Sequence, residues 1–260
     1  MATTGNASPL IAPGYSGLVA DQGIDRPLWG LTTQQTISAP TPFAAPAVAT
    51  TTGATSPHVE GVNPTPGTVT FAGAIVTPVG RSGIYDVTRE LLDSASPAAD
   101  AIVLTAMAED FNAKLEQLVA AELAAVAPSG ATAAGTLARD VKREISAMVR
   151  SRRRAAAAVV SAADTLADAA ADNFTEDSGD QTAQWHAQGA RIDLSADLGD
   201  SSGEVVAAVV APASLWSWSA EPRRFEYEQT YGPALIRLSL FGYAAVKTIR
   251  PSGVRTLTLS

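Results

Sequence analysis

The side chains best suited to general-base chemistry near neutral pH are two histidines, His58 and His186. A serine or threonine nucleophile needs such a base within hydrogen-bonding reach. His58 lies in a stretch rich in proline and threonine, and His186 follows Trp185 beside a polar segment, so neither position favours a rigid catalytic geometry. The sequence contains no cysteine, which excludes disulfides, thiolate catalysis and cysteine-based zinc sites. It also lacks a Walker loop, a Gly-x-Gly-x-x-Gly turn and a His-Glu-x-x-His pair.

Two carboxylate pairs, Glu109/Asp110 and Asp197/Asp200, are the other candidates for acid–base work. Neighbouring acids on helices and loops are ordinarily solvated, and we expect the same of these pairs. We therefore predict that the protein is not an enzyme, and that it has no catalytic residue, no metal ligand and no cofactor.

Acidic residues outnumber basic ones, and the formal net charge of −8 argues against a general nucleic-acid binder, which needs a dominant basic face. The basic residues cluster once, in Arg150-Ser-Arg-Arg-Arg154. This run either neutralises the phosphates of a nucleic acid or membrane, or ends a helix where cations offset the dipole, and we favour the helix end. Pairing with acidic residues across a subunit contact is a further possibility. Trp216 and Trp218 share one face of a predicted strand, where we expect core packing.

The chain of 260 residues is 46% hydrophobic, which suffices for one large domain or two small ones. The N-terminus has neither a basic start nor an apolar core, so we predict no signal peptide. No apolar run approaches the roughly 20 residues needed to cross a bilayer. We expect a soluble protein that is made inside the cell and does not bind a membrane.

The elements that must position these residues change in character along the chain. Residues 1–35 are rich in Gly, Pro, Ser and Thr, and form either a disordered leader or an arm that orders on a partner through Trp29 and Leu31. Residues 36–82 contain no lysine and show β-like runs between prolines and glycines. Those runs are 43–48, 53–59 and 68–76. Such a ribbon is marginal alone, so we expect it to rest on something outside its own domain.

Helical periodicity is strongest in residues 97–126, which predict an amphipathic helix on the order of 45 Å long. Ser96-Pro97 forms its predicted start. Its predicted packing residues include Met107, Phe111 and Leu115. A second amphipathic helix begins near residue 137, and shorter helical segments are predicted at 86–93 and 163–171. Predicted strands are 156–160, 191–194, 204–210, 215–218, 225–229 and 234–249. The mixture lacks a βαβ rhythm, which favours an α+β fold.

This order of elements resembles the major capsid proteins of tailed bacteriophages of the Hong Kong 97 type. Pro42-Phe-Ala-Ala-Pro46 through Gly61 resembles the outgoing part of that family's extended loop. Val76-Thr-Pro-Val79 and residues 84–93 resemble its return strand and the segment before its spine helix. Residues 97–126 resemble the spine helix itself. The closing strands are matched by residues 236–246 and 250–259.

The resemblance implies an α+β fold of the Hong Kong 97 type in five parts. They are an N-terminal arm (1–35), an extended loop (36–82), a peripheral domain with a spine helix (83–130), an axial domain (131–233) and return strands of the peripheral domain (234–260). It implies a subunit that assembles as hexamers and pentamers into an icosahedral shell around double-stranded DNA. We expect intersubunit docking at Trp29, Phe43, Val48 and Phe71.

The implied partners are further copies of the chain, a separate scaffolding protein, a portal and decoration proteins. Packaged double-stranded DNA is a further partner, without sequence-specific contact. The implied location is the virion capsid, assembled in the cytoplasm of a bacterial host. Some members of the family join a loop lysine to a neighbour's asparagine, and a loop without lysine does not permit that crosslink. The alternatives are an encapsulin shell around cargo enzymes, an adhesion or tail-associated binding module, and a hydrolase with an unrecognised site.

Overall fold

The computed structural model describes residues 26–37, 40–51, 57, 60–63, 66–90, 98–151, 153, 155, 157–162, 175–176, 185–187, 189–220, 223–227 and 235–260. Its helices are α1 (Pro27–Gly30), α2 (Ala98–Ala124) and α3 (Leu137–Arg150). Its first seven strands are β1 (Thr33–Thr36), β2 (Phe43–Thr51), β3 (Val69–Val76), β4 (Val79–Thr88), β5 (Gly130–Thr132), β6 (Ala157–Ser161) and β7 (Thr175–Glu176). The others are β8 (Trp185–Ala187), β9 (Ala190–Ser195), β10 (Val205–Val210), β11 (Leu215–Ser219), β12 (Arg223–Tyr227), β13 (Leu235–Thr248) and β14 (Val254–Leu259).

The long helix α2 forms where apolar side chains recur every fourth residue. Met107, Phe111, Leu115, Val119 and Leu123 are all at most 7% exposed. Spacing of four residues places them along one face. With 27 residues the helix is about 40 Å long, close to the length predicted from the sequence. Its predicted start at residues 96–97 lies outside the described residues.

The first sheet is organised around β13. β4 pairs with it in antiparallel fashion over ten residues, from Leu235↔Thr88 to Ala244↔Val79. β11 and β12, also antiparallel to β13, lie along its opposite edge, because Phe241 pairs with both Arg223 and Ser82. β1 adds a parallel strand beyond β11. Side chains from β4, α2 and β13 form a shared core that includes Val87, Met107 and Leu238.

The second sheet has the order β5-β14-β10-β6-β9-β8-β7 and mixes parallel and antiparallel pairs. All six residues of β10 are buried, as a continuous apolar run in a central strand predicts. Val206 and Val209 pack toward α3, whereas Ala208 and Val210 belong to the core that contains α1 and α2. The sheet therefore has helices on both faces.

β2 and β3 form a separate antiparallel hairpin. Its strands match two of the three β-like runs predicted in residues 36–82, whereas most of the third, at 53–59, lies outside the described residues. Only Thr77 and Pro78 separate β3 from β4, so the hairpin projects directly from the first sheet.

The helical segment predicted at 86–93 is wrong over its first three residues, because β4 continues to Thr88. Non-local pairing explains the difference. Asp86 lies opposite Arg237 in β13, and the guanidinium Nε and NH2 groups donate to its two carboxylate oxygens at 2.6 and 2.7 Å. That hydrogen bond with Arg237 lowers the pKa of Asp86, although partial burial opposes the shift. The helix predicted at 163–171 lies outside the described residues.

The strands of the two sheets do not separate at the predicted boundary between residues 233 and 234. β11 and β12 precede that boundary yet pair with β13 in the first sheet, and β14 follows it yet pairs with β10 in the second. The chain crosses from β13 to β14 through a short 3₁₀ turn at Pro251–Gly253. The division into peripheral and axial domains remains a prediction.

Candidate assembly surface

The two faces of the β2–β3 hairpin differ in how they are covered. Side chains alternate across a strand, so Ala74 and Val76 share one face of β3. This inner face packs with Ala45 against Trp218 and Ala245 of the first sheet. It fixes the base of the hairpin to the body of the subunit.

The opposite face of β3 carries Val69, Phe71 and Ile75, which are 50%, 69% and 73% exposed. We call these three residues the outer hairpin face. Phe71 lies opposite Val48, and Ile75 lies opposite Ala44, in the antiparallel register. Three large apolar side chains along one strand are a surface that suits a protein contact.

Phe71 is more exposed than Trp29 and Phe43, the other two predicted docking residues whose burial the structure describes. Phe43 is half-buried, and its ring meets that of Trp218 edge-on at a centroid distance of 5.2 Å, within its own chain. Trp29 is 3% exposed in the core around α2, so its ring offers no surface to a neighbour and its predicted docking role is set aside. For Val48 the structure describes the strand position opposite Phe71.

Aromatic side chains stiffen the base of the hairpin. The ring centroids of Trp216 and Trp218 lie 6.1 Å apart, and both rings pack with Phe43. The predicted core packing of this tryptophan pair is confirmed. The indole N–H of Trp218 donates to Gln35 Oε1 at 3.0 Å. Gln35, which precedes the hairpin, is thus bonded to Trp218, which follows it in the chain and packs against the hairpin base. This contact limits movement of the base.

A buried carboxylate joins α1 to α2. Glu116 is 1% exposed and accepts hydrogen bonds from the backbone N–H groups of Leu28 at 2.9 Å and Trp29 at 2.8 Å. Burial raises the pKa of Glu116, the two N–H donors and Arg26 oppose that shift, and Asp197 adds to it. The first N–H groups of a helix have no partner within it, so Glu116 supplies acceptors that α1 lacks.

In the sequence Glu116 is only a polar position between the apolar residues of the long helix, and no local pattern marks its side chain as buried. Only the absence of a capping side chain before Pro27 could have indicated a remote acceptor. Met107, Phe111 and Leu115, the predicted packing residues of the helix, are 2%, 7% and 3% exposed.

Among the residues whose side chains the structure describes, the candidate carboxylate pairs lie on separate elements. Asp110 lies on α2 near Tyr85, whose pKa is raised by burial and by the nearby Asp110 carboxylate. Asp197 and Asp200 lie in the loop between β9 and β10. His58 lies outside the described residues, and His186 is placed only as a residue of β8. Within the described part of the chain, no three His, Asp or Glu residues form a group that could hold a metal ion.

One match to the Gly-x-Ser-x-Gly pattern, at residues 199–203, is not a nucleophile elbow. An elbow turns from a strand into a helix, whereas this loop joins the strands β9 and β10. The Ser201 hydroxyl donates to Asp200 Oδ1 at 3.2 Å, and its backbone N–H donates to Glu204 Oε2 at 3.2 Å. Both contacts are solvent-exposed, and a solvated carboxylate is a much weaker base than the imidazole that usually activates such a serine.

No family model and no curated protein matches the sequence. Solved structures do match. A chain from the Microbacterium phage Oxtober96 superposes with a TM-score of 0.67 and 15% identity, covering 99% of both chains. A chain from the mature capsid of bacteriophage PhiM1 superposes with a TM-score of 0.66 and 13% identity, covering 94% of this chain and 90% of the PhiM1 chain. A chain from the capsid of a native GTA particle superposes with a TM-score of 0.66 and 10% identity, covering 95% of this chain and 96% of the GTA chain.

These matches define the class of the fold, which is the α+β Hong Kong 97-like fold of phage capsid proteins. The predicted fold class is confirmed. Each helix within the described residues is too short or too polar to cross a bilayer.

Proposed function

We propose that this chain is a major capsid protein, which assembles as hexamers and pentamers into an icosahedral shell around double-stranded DNA. The observation that carries the proposal is the outer hairpin face on a fold shared with phage capsid chains. Phe71 and Ile75 are each more than two thirds exposed in the single subunit. A neighbouring copy would bury them.

Burial between copies supplies the stability of the shell. Fully burying a side chain of this size contributes about 1.5–3 kcal/mol, and a two-stranded ribbon gains little stability by itself. Each contact is modest. Repeated around every subunit of a closed lattice, such contacts make loss of one subunit improbable, because all of them must break together.

The proposal extends to the location and partners of the protein. The chain acts in the virion capsid without enzymatic activity, is assembled in the bacterial cytoplasm, and works with a scaffolding protein, a portal and decoration proteins. Its contacts with DNA do not depend on the base sequence of the DNA. Matches to capsids of PhiM1 and of a GTA particle support this assignment over an encapsulin compartment.

Shortening the hairpin tests the proposal. Residues 52–68 join Thr51 to Val69, which lie opposite each other, so an Asn-Gly turn in their place keeps the strand register. We expect the variant subunit to fold and to fail to close shells, because its reach across a neighbour is lost. Electron microscopy of particles, with circular dichroism as the check on folding, gives the readout.

A matched control replaces residues 52–68 with a Gly/Ser linker of equal length, which keeps the reach and removes the native side chains. Normal shells from the Asn-Gly variant would contradict the proposed role of the hairpin. Copurified nucleic acid in wild-type particles supports a viral shell, and copurified enzyme cargo without nucleic acid would support the encapsulin alternative.

A further inference from the structure

A cavity of about 250 Å³ lies between β4 and α2, close to the base of the hairpin. Its charged lining consists of two cations, Arg81 and Lys114, and one anion, Asp110, so its formal charge is positive. The apolar part of its wall is made of Met107, Phe111 and Leu240. Sites for small-molecule ligands usually measure roughly 300–1,000 Å³, so this cavity suits a single incoming side chain better than a cofactor.

Arg81 has no acidic partner within the described part of the chain. Its Nε atom is buried and makes no hydrogen bond there. Arg255 also has a buried Nε, but its guanidinium group donates to Glu144 at 2.9 Å. A buried donor without an acceptor costs free energy, and a carboxylate that enters the cavity would remove that cost.

The other polar groups of the cavity leave room for such a carboxylate. Lys114 donates to the neutral side chain of Gln117 at 3.3 Å, so its charge is not neutralised by that contact. Asp110 lies on the exposed side of α2 and forms no ion pair with either cation within the described residues. Burial and the nearby Asp110 carboxylate raise the pKa of Tyr85, so its hydroxyl stays protonated at neutral pH and can donate a hydrogen bond.

Glu60 is an isolated charge on the hairpin. Between Arg26 and Arg81 the sequence holds no other Asp, Glu, Lys or Arg. Glu60 is exposed and lies at the midpoint of the connection 52–68, in a turn that Gly61 completes with a φ of +79°. The left-handed conformation favours glycine at that position, so the local sequence supports a reversal of the chain beside the carboxylate.

The length of the hairpin separates Glu60 from the base of its own subunit. The eight residues of β3 span about 26 Å between the connection 52–68 and Thr77, and Arg81 lies beyond Thr77. A contact between the hairpin tip and the cavity therefore suits two subunits, with the tip of one meeting the hairpin base of the next. Such a contact joins two different surfaces, and contacts of this kind repeat around closed rings.

We propose that Glu60 of one subunit enters the cavity of the next and pairs with its Arg81, an inference that rests on the proposed capsid function. Charge complementarity carries the choice of occupant, because the one carboxylate of an otherwise uncharged arm meets a cavity with a net positive charge. A guanidinium group can bind a carboxylate through two parallel hydrogen bonds, and Lys114 adds a second attraction. Val62, which is 61% exposed and two residues from Glu60, meets the apolar wall.

Shell assembly, measured by sedimentation over a range of protein concentrations, tests the pairing in a double-mutant cycle. Glu60→Gln and Arg81→Gln should each raise the concentration at which half of the subunits are in shells by about tenfold, because each removes a charge-assisted hydrogen bond. Shells should still close at the higher concentration. The double variant should match either single variant, since both changes remove the same contact. The matched control is Arg250→Gln, an exposed position outside the cavity with the same change of charge, which should assemble like wild type.

Assembly of Glu60→Gln at wild-type concentrations would overturn the inference, and this variant does not disturb β4. An effect of Arg81→Gln alone would assign the cavity to another group, and a double variant weakened about a hundredfold would make the two effects independent. A control as weak as Arg81→Gln would reduce the effect to net charge. Each of these results overturns the pairing, and circular dichroism of unassembled subunits checks that every variant folds.

The wild type keeps the two proposals apart. Wild-type shells together with normal assembly of Glu60→Gln refute the contact alone. Absence of wild-type shells refutes the capsid function and, with it, the contact.

Discussion

At the scale of single residues, Glu116 fixes the first described turn of the chain to the long helix. Replacing it with alanine leaves two buried N–H groups, of Leu28 and Trp29, without acceptors. Each such loss costs about 1–3 kcal/mol, so we expect Glu116→Ala to lower the free energy of unfolding by about 2–4 kcal/mol in urea denaturation of the full chain. Gln117→Ala, at the next and exposed position, is the control. A loss as small as that of the control would refute the anchoring role.

Two buried carboxylates should respond to pH in opposite directions. The raised pKa of Glu116 means that its stabilising contribution is fully present below 4.5 and is lost as pH rises through the folded-state pKa. Burial alone would raise the pKa of Asp140 too, but the Thr132 and Thr136 hydroxyls and the Arg143 and Arg139 guanidinium groups lower it overall. Its contribution is present above 3.8 and is lost as pH falls through the folded-state pKa.

Isosteric variants separate these two effects. Relative to wild type, Glu116→Gln should remove a decline of stability with rising pH, and Asp140→Asn should remove a decline with falling pH. Unfolding free energies measured in urea across the acidic to neutral range provide the comparison. Shifts of the same sign in both variants would contradict the assigned environments.

At the scale of elements, the outer hairpin face should matter for assembly and little for folding. Phe71→Ser/Ile75→Ser changes two side chains that are 69% and 73% exposed, so the unfolding midpoint should stay close to wild type. Particle yield by sedimentation should fall at least tenfold, because every copy loses apolar contact area. The control is Val149→Ser, a similarly exposed apolar position on α3, 57% exposed. Equal yields in both variants would refute a docking role for this face.

The sequence indicated elements best where local periodicity and packing agree. α2, α3 and β10 lie within a few residues of their predicted ranges, because each buries an apolar pattern of its own. β4 was partly mistaken for a helical turn, since its strand conformation depends on pairing with β13, about 150 residues later. The buried positions of Trp29 and Glu116 likewise depend on each other across 87 residues. Contacts between residues so far apart in the chain leave no local sequence pattern from which they can be predicted.

At the scale of the whole molecule, the distribution of lysine predicts how an assembled particle is held together. The lysines are Lys114, Lys142 and Lys247, and none lies in residues 36–82. Lys247 contacts Glu122 at 3.2 Å within its own chain. We expect purified particles boiled in SDS to run as a single monomer band in gel electrophoresis. A ladder of covalent oligomers would contradict attachment by non-covalent contacts alone.

The short connection between β3 and β4 gives the hairpin a mechanical property. A neighbour that pulls on the hairpin transmits tension through Thr77 and Pro78 into β4. Tension along β4 loads its ten residue pairs with β13 in shear, so their hydrogen bonds share the force and do not open one at a time. In the shell proposed above, the projecting ribbon would therefore transmit load from one subunit to the next.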